Sequence, residues 1–542
     1  MNPIQAHTTA TSTHYDVLVI GAGLAGVSTA LLIKRRHPSA RVLLVDKRAQ
    51  LAKGGTSEPL AGVSSVFMSM ALHATEILAR EHLPRHGEHF WFAKTPHGTL
   101  AEMSELGADE FASHPAHHVD SRRLAHSLLG NALHEGVELL LGHEVTKVSM
   151  SWPQSSLTLQ GPETALELQG RWVIDSSGRS AVLAAELDLE SHLDLPPTWN
   201  AVANWTGVAP FDVQPEGEAP RRPFPRSREF ATHHFHGREW RVSLVPHVGG
   251  GASLHLNLDW KAYAGFRARR SPLEAYSHFV RSCPGLRELL RDAQLEASSF
   301  CSHKEQDWTA KRRAARGWFL VGKAAGAPPT IFGERLDALV RTIWNAAEVV
   351  SLDLKGAQAE AELVERIGRY NLREQQYDMA DRISLRSGTR ALCGDAALCS
   401  VAYSLRRSVQ SLEMRRIASD LERLSILSWH TLWQGKVRGA AYARLKELSR
   451  KRIASGHYGN RNEHWQLYLG PGESTLRPLG AALWQWLQLE YTVLRESMSP
   501  VPGDTLESSS SLFRRRMAEF HASTRATSRV PGSHPLPPSS IE

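Results

Sequence analysis

The sequence predicts an α/β protein with a sheet-rich middle and a helical C-terminal part, on four observations. The chain opens on a continuous apolar run, Val17-Leu18-Val19-Ile20, as a parallel strand buried on both faces requires. A glycine-rich turn and helical spacing from Ala25 to Ile33 follow at once. Across 200–260 the pattern shifts to strict alternation, clearest in Ser253-Leu254-His255-Leu256-Asn257-Leu258, the mark of a half-buried antiparallel strand. From about 355 to 498 it is helical throughout, with a glycine-containing break at 455–473.

The elements read in order as follows. Residues 1–13 are a polar leader without periodicity, expected to be disordered. A second apolar strand, from Arg41 to Val45, closes a βαβ unit with the first strand and helix. Residues 122–135 read as an amphipathic helix, 137–141 as a strand, and 156–160 with 165–169 as a hairpin. The apolar strand 318–321 precedes a Gly/Ala/Pro-rich loop and a helix beginning near Glu334, in which Leu336, Leu339, Val340, Ile343, Trp344 and Ala347 share one face. Trp484, Trp486 and Tyr491 of the last long helix are expected to pack in the core, with a cover over a site as the other reading. The tail 501–542, with serines at 508–511 and several prolines, is expected to be disordered.

Composition excludes several classes. With 542 residues, 42% hydrophobic and 22% charged, the chain is long enough for two to four domains. Forty glycines and 28 prolines are too few for collagen-like or low-complexity sequence. The net charge of +7 is scattered and no nucleic-acid motif accompanies it, so no nucleic-acid partner is expected. Only residues 15–33 approach membrane-span length, and Gly21, Gly23, Gly26 and Ser28 interrupt them, so no span is expected. Four cysteines suit a reducing cytoplasm.

The turn Gly21-Ala22-Gly23-Leu24-Ala25-Gly26 follows a strand and opens a helix, and Asp46 ends the next strand 20 residues after Gly26. In that setting the glycines let backbone approach a pyrophosphate at a helix N-terminus, and the acid is placed to accept hydrogen bonds from an adenosine ribose. Ala22 and Lys47 complete the candidate set around the turn and the acid. A second turn, Asp175-Ser176-Ser177-Gly178-Arg179, ends another apolar strand.

This order resembles the FAD-dependent aromatic-hydroxylase-type flavoproteins, and within them the flavin-dependent halogenases and halogenase-like monooxygenases. The resemblance rests on GxGxxG, VDSRRL at 119–124, the D-x-S-G-R turn and a late strand–loop–helix. Residues 82–92 (HLPRHGEHFWF) resemble the strand beside that group's substrate, and 325–337 (AGAPPTIFGERLD) its loop over the isoalloxazine ring. The resemblance implies an FAD-binding Rossmann-like domain from 14–190 plus 310–352, an inserted mixed β-sheet substrate domain at 190–310, and a C-terminal helical domain at 353–500. It implies FAD held by Gly21, Ala22, Gly23, Gly26, Asp46 and Lys47, with Gly322 and Gly333 bounding the ring loop. Arg123 would hold the pyrophosphate or ribitol, with Arg122 as its neighbour. Glu58 falls near a stretch that touches the flavin, and Glu334 would start a helix beside it.

Departures from the family pattern sharpen the function. Gly322-Lys323 stands where relatives carry Gly-Asp, and a lysine cannot accept the ribitol hydroxyl. The later Gly394-Asp395-Ala396-Ala397 follows no apolar strand and is a decoy. Arg85 aligns with the lysine by which halogenases relay hypohalous acid, and a guanidinium stays protonated at working pH. No WxWxIP signature is present. The expected function is therefore an FAD-dependent monooxygenase that hydroxylates or epoxidises an aromatic or polyene metabolite, free or carrier-bound, through a flavin hydroperoxide. Arg85 is the candidate on the substrate side. Electrons would come from a separate flavin reductase or NAD(P)H, since no second dinucleotide fingerprint appears. The alternatives are a halogenase using Lys94, an FAD-linked reductase or dehydrogenase, and a non-catalytic protein on the same fold. The histidine sets 233, 234, 236 and 114, 117, 118 lack ligands at metal spacing, and no metal is expected.

Overall fold

The computed structural model describes residues 13–60, 62–108, 116–192, 197–212, 228–237, 240–267, 270–305, 308–326, 335–356, 360–386, 392, 394–419, 429–469 and 476–498. The leader 1–12, the tail 499–542, Gly333 and Glu334 lie outside them.

The first sheet has eight strands and is parallel at its centre. Strand β1 (His14–Ile20) lies between β2 (Val42–Asp46) and the long strand Ala165–Asp175, and Glu138–Leu141 extends the β2 side. Helix α1 (Leu24–Arg36) makes the βαβ crossover and buries Val27, Ala30, Leu31 and Ile33. The hairpin expected at 156–169 forms as Ser155–Gln160 against Ala165–Asp175. The late strand Trp318–Leu320 runs parallel beside Val173–Asp175. The following helix, Arg335–Leu354, buries Leu336, Val340, Ile343, Trp344 and Ala347 on the predicted face.

The second sheet also has eight strands, and its members come from three distant stretches. Its centre is the antiparallel set Gln294–Glu305, Thr198–Thr206, Gly251–Asp259 and Trp240–His247. Thr232–His236 then pairs in parallel with Glu88–Phe92, which pairs with Ser104–Ala108. The edge strand is Gln466–Leu469. Residues 455–473 are therefore not only a break between helices: four of them, QLYL, complete a sheet edge too short to show a period.

The C-terminal helices Glu360–Arg386, Ala396–Ser419, Trp429–Ala454 and Leu476–Met498 follow. Asp395 of the decoy turn is fully buried and caps the second of them, accepting from Ala397 N and Leu398 N while meeting Arg452 at 3.0 Å. The last helix corrects one expectation. Trp484 and Tyr491 are 62% and 68% exposed, because the helix packs inward through Ala482, Leu489 and Val493 instead. Among the described residues no helix is long and apolar enough to cross a membrane.

Candidate functional site

The crevice at the end of β1 is built from backbone. Gly21 turns the chain at φ +98°, and a Cβ on it would stand 2.7 Å from the Ser176 carbonyl oxygen. Gly26 packs so tightly that a Cβ would stand 1.9 Å from the Gly21 carbonyl oxygen. Gly23 is different. It caps α1 without a side-chain hydrogen bond, and a Cβ on it would meet nothing within 4 Å. Two glycines thus serve the protein's own close packing, while the third opens onto free space before the helix N-terminus, where an anionic pyrophosphate fits.

Asp46 stands beside this opening, 6% exposed. Its carboxylate accepts from Ala22 N at 2.8 Å and from Arg48 Nε and Nη2 at 2.8 and 2.7 Å. Burial would raise its pKa, but the Arg48 and backbone hydrogen bonds outweigh that and hold the carboxyl below its ordinary value. Lys47 points away, to Glu144 at 3.1 Å on the surface. Arg48 is therefore the basic side chain at the acid, and its position two residues after Asp46 was the available signal.

The other turns close the crevice walls. Ser176 Oγ donates to Ile20 O at 2.7 Å and Gly21 O at 2.9 Å. Fully buried Asp175 accepts from Ser177 N and Leu183 N, so this turn is architecture for the wall. Gly322, at φ +64°, lies against α1: a Cβ there would stand 3.4 Å from Ala25 Cβ and 2.8 Å from Leu339 Cδ1. The Gly322-Lys323 turn thus reaches the glycine turn itself, with Lys323 exposed.

A polar spine ties the 54–58 loop to the second sheet. Asn204 Nδ2 donates to Gly55 O at 3.1 Å, Ser253 Oγ donates to Asn204 Oδ1 at 2.6 Å, and Ser57 N donates to Ser253 Oγ at 2.7 Å. His255 Nε2 lies 2.6 Å from Ser57 O. Asp120 caps the helix Ser121–His134 and also accepts from Gly55 N. Arg122 lays its stem over Gly55, whose Cβ would stand 2.9 Å from Arg122 Cδ. Arg123 is exposed on the same first turn. Glu58 accepts a hydrogen bond from Ser121 Oγ.

Arg85 is no surface residue. Its side chain is 8% exposed, Nε donates to Thr232 Oγ1 at 2.7 Å, and Nη2 lies 3.6 Å from Glu88. Glu88 also meets Arg406, from the helix Ala396–Ser419, at 3.5 Å and His234 at 3.5 Å. Burial opposes ionisation of Glu88, yet Arg406 and Arg85 overcome it and hold the carboxyl far below the usual range. Tyr403 stands edge-on to Phe90 beside this cluster, and burial pushes its hydroxyl up to about 12. Lys94, by contrast, is 51% exposed and paired to Glu463.

Histidines fill the same sheet as neutral packing. His233 accepts from Trp91 Nε1 at 3.1 Å and stacks on Phe211 at 3.5 Å, while His236 stacks on Phe92. Burial keeps the pKa values of His233 and His236 well below normal and takes His234 down to about 4. Among the described residues no group of three His, Cys, Asp or Glu is arranged to hold a metal.

Residues 16–189 match a family described as FAD dependent oxidoreductase. The flavin-dependent halogenase chlA of Dictyostelium discoideum is 21% identical over 379 residues, which are 64% of this chain and 61% of that protein. The chain thus matches less than two thirds of that relative's length. Among solved structures, halogenase PltM in complex with phloroglucinol and FAD superposes with a TM-score of 0.64 at 15% identity, covering 88% of this chain and 96% of the other. The flavin-dependent halogenase CmlS gives 0.58 at 16% identity, covering 89% and 78%.

Proposed function

We propose that this chain, an FAD-dependent oxidoreductase on the halogenase-like flavoprotein fold, is a monooxygenase that hydroxylates or epoxidises an aromatic or polyene small molecule, free or carrier-bound. FAD, when bound, supplies the activation of oxygen. Gly21, Ala22, Gly23 and Gly26 would receive its pyrophosphate, and Asp46, steadied by Arg48, would accept the adenosine ribose hydroxyls. Arg122, whose stem lies over Gly55, and Arg123 would face the cofactor between its pyrophosphate and its ring, and Gly322 would bound the other side, with Gly333 outside the described residues. The polar spine through Asn204 and Ser253 holds the 54–55 loop against the second sheet and would help enclose the ring end. Electrons come from a partner reductase or NAD(P)H, in keeping with a cytoplasmic setting.

One observation carries the choice of oxygenation. Arg85, which the resemblance aligns with the halogen-relaying lysine, is buried and held by Thr232 and Glu88, while Lys94 sits on the surface with Glu463. A guanidinium so held cannot cycle a proton or carry a halogen. Halogenation is the second reading, favoured by the descriptions of chlA, PltM and CmlS. Turnover of a panel of small phenols, with FAD, a flavin reductase and NADH, separates the two by product mass. Addition of one atom from labelled oxygen, with or without bromide, is expected. Brominated product establishes the second reading, and turnover without oxygen overturns both.

A further inference from the structure

The last helix, Leu476–Met498, has two apolar faces. One is buried: Ala482, Leu489 and Val493 pack toward the helices Ala396–Ser419 and Trp429–Ala454. The other faces solvent through Trp484, Leu487, Tyr491, Leu494 and Met498, which are 62%, 62%, 68%, 63% and 78% exposed. Their spacings are 3, 4, 3 and 4 residues, the seam of a helix that pairs with another helix. A helix with one partner needs one stripe, and among the described residues nothing covers the second.

We infer that this stripe is the interface between two copies of this chain, paired through an antiparallel helix contact with Tyr491 near the twofold axis. Trp484 and Met498 lie seven residues to either side of Tyr491, so Trp484 of each copy would meet Met498 of the other, as an isologous contact requires. Leu487 (four before) and Leu494 (three after) would pack one residue out of exact register. The seam spans about 21 Å at 1.5 Å per residue. With Leu483, also 54% exposed, the face offers on the order of 700 Å² of mostly apolar surface, taking large side chains at about 150–250 Å² each. Two such faces cover about 1,400 Å², inside the range of stable specific interfaces. Such a patch is also larger than monomers ordinarily leave open.

Charge selects a second copy over other occupants. From Leu483 to Met498 the exposed positions are Leu483, Trp484, Leu487, Gln488, Tyr491, Leu494, Arg495, Ser497 and Met498, and Arg495 is the one exposed charge. Glu490 is turned to Arg444 at 2.7 Å and Glu496 to Arg452 at 3.1 Å. Apolar side chains therefore meet apolar side chains along the seam, and the single exposed cation at its C-terminal end is too little to hold an anionic membrane surface or a charged partner.

Sedimentation velocity of the full chain at micromolar concentration tests the inference. A dimer is expected, and the double variant Leu487→Lys, Tyr491→Lys should run as a monomer with unchanged circular dichroism and FAD affinity. Should that variant misfold, Leu494→Lys replaces it with the same expectation. In a Cys301→Ser background, Tyr491→Cys should form an interchain disulfide on mild oxidation. A monomeric wild type overturns the inference, whether the face is then found covered by the tail 501–542 (dimerisation only on its removal) or bound to phosphatidylcholine vesicles. A dimer that survives the lysine substitutions overturns it as well.

Discussion

The glycine crevice and the interior of the second sheet solve opposite problems. The crevice spends almost no side chains: Gly21 and Gly26 let backbone touch backbone, Gly23 opens the helix end, and one carboxylate, Asp46, supplies the charge. The second sheet buries Glu88 among Arg85, Arg406 and His234, and Glu105 among Arg228 and His89, with histidines stacked between aromatic rings. The first region is tuned to leave room for a ligand. The second is filled by its own side chains, ion-paired and stacked, although Glu88 Oε2, His234 Nε2 and both His236 ring nitrogens are buried without a hydrogen bond among the described residues. It therefore reads as a framework held by charge and packing.

That contrast makes graded predictions. Glu88→Ala leaves Arg85 and Arg406 buried without their carboxylate, and denaturant unfolding should show a loss of about 3–5 kcal/mol. An unchanged midpoint would mean the cluster is solvated rather than internal. Asp46→Ala should act on the ligand instead. Loss of charge-assisted hydrogen bonds of about 1.5–3 kcal/mol corresponds to FAD affinity weaker by about 10- to 100-fold in a fluorescence titration.

Acid should find the second sheet first. His234 is held down to about 4 by burial, and His233 and His236 are also depressed. Below the ordinary value of 6.5 the unfolded chain takes up protons that the folded chain refuses, so stability present above 6.5 should be lost as pH falls toward 4. His234→Gln should flatten the pH dependence of the unfolding midpoint between those values. The smallest effect belongs to Lys94→Ala, which removes an exposed pair with Glu463. It should leave both the midpoint and turnover unchanged, and a loss of turnover would revive the halogenase role of Lys94.

Legibility followed the same division. The crevice was readable because backbone proximity demands glycine at set spacings within a single βαβ unit, and the hairpin and the helix Arg335–Leu354 were readable from local periodicity. Arg48 escaped because Lys47 is the nearer base, and only the structure shows which of the two turns inward. The Glu88 cluster joins residues 85–88, 232–234 and 406, and no local pattern connects stretches so far apart. The edge strand Gln466–Leu469 is too short for alternation to register. Trp484 and Tyr491 were misjudged because aromatic content does not reveal which side of a helix meets the core.

Equilibrium titration of the apo-protein with FAD, wild type against Gly26→Val, puts the crevice to the proof. Saturable binding of one FAD per chain by the wild type, abolished in a variant whose added side chain must overlap the Gly21 carbonyl, is the expected result. Absence of binding by the wild type, or equal binding by a folded variant, would contradict the assignment of the ligand to this turn.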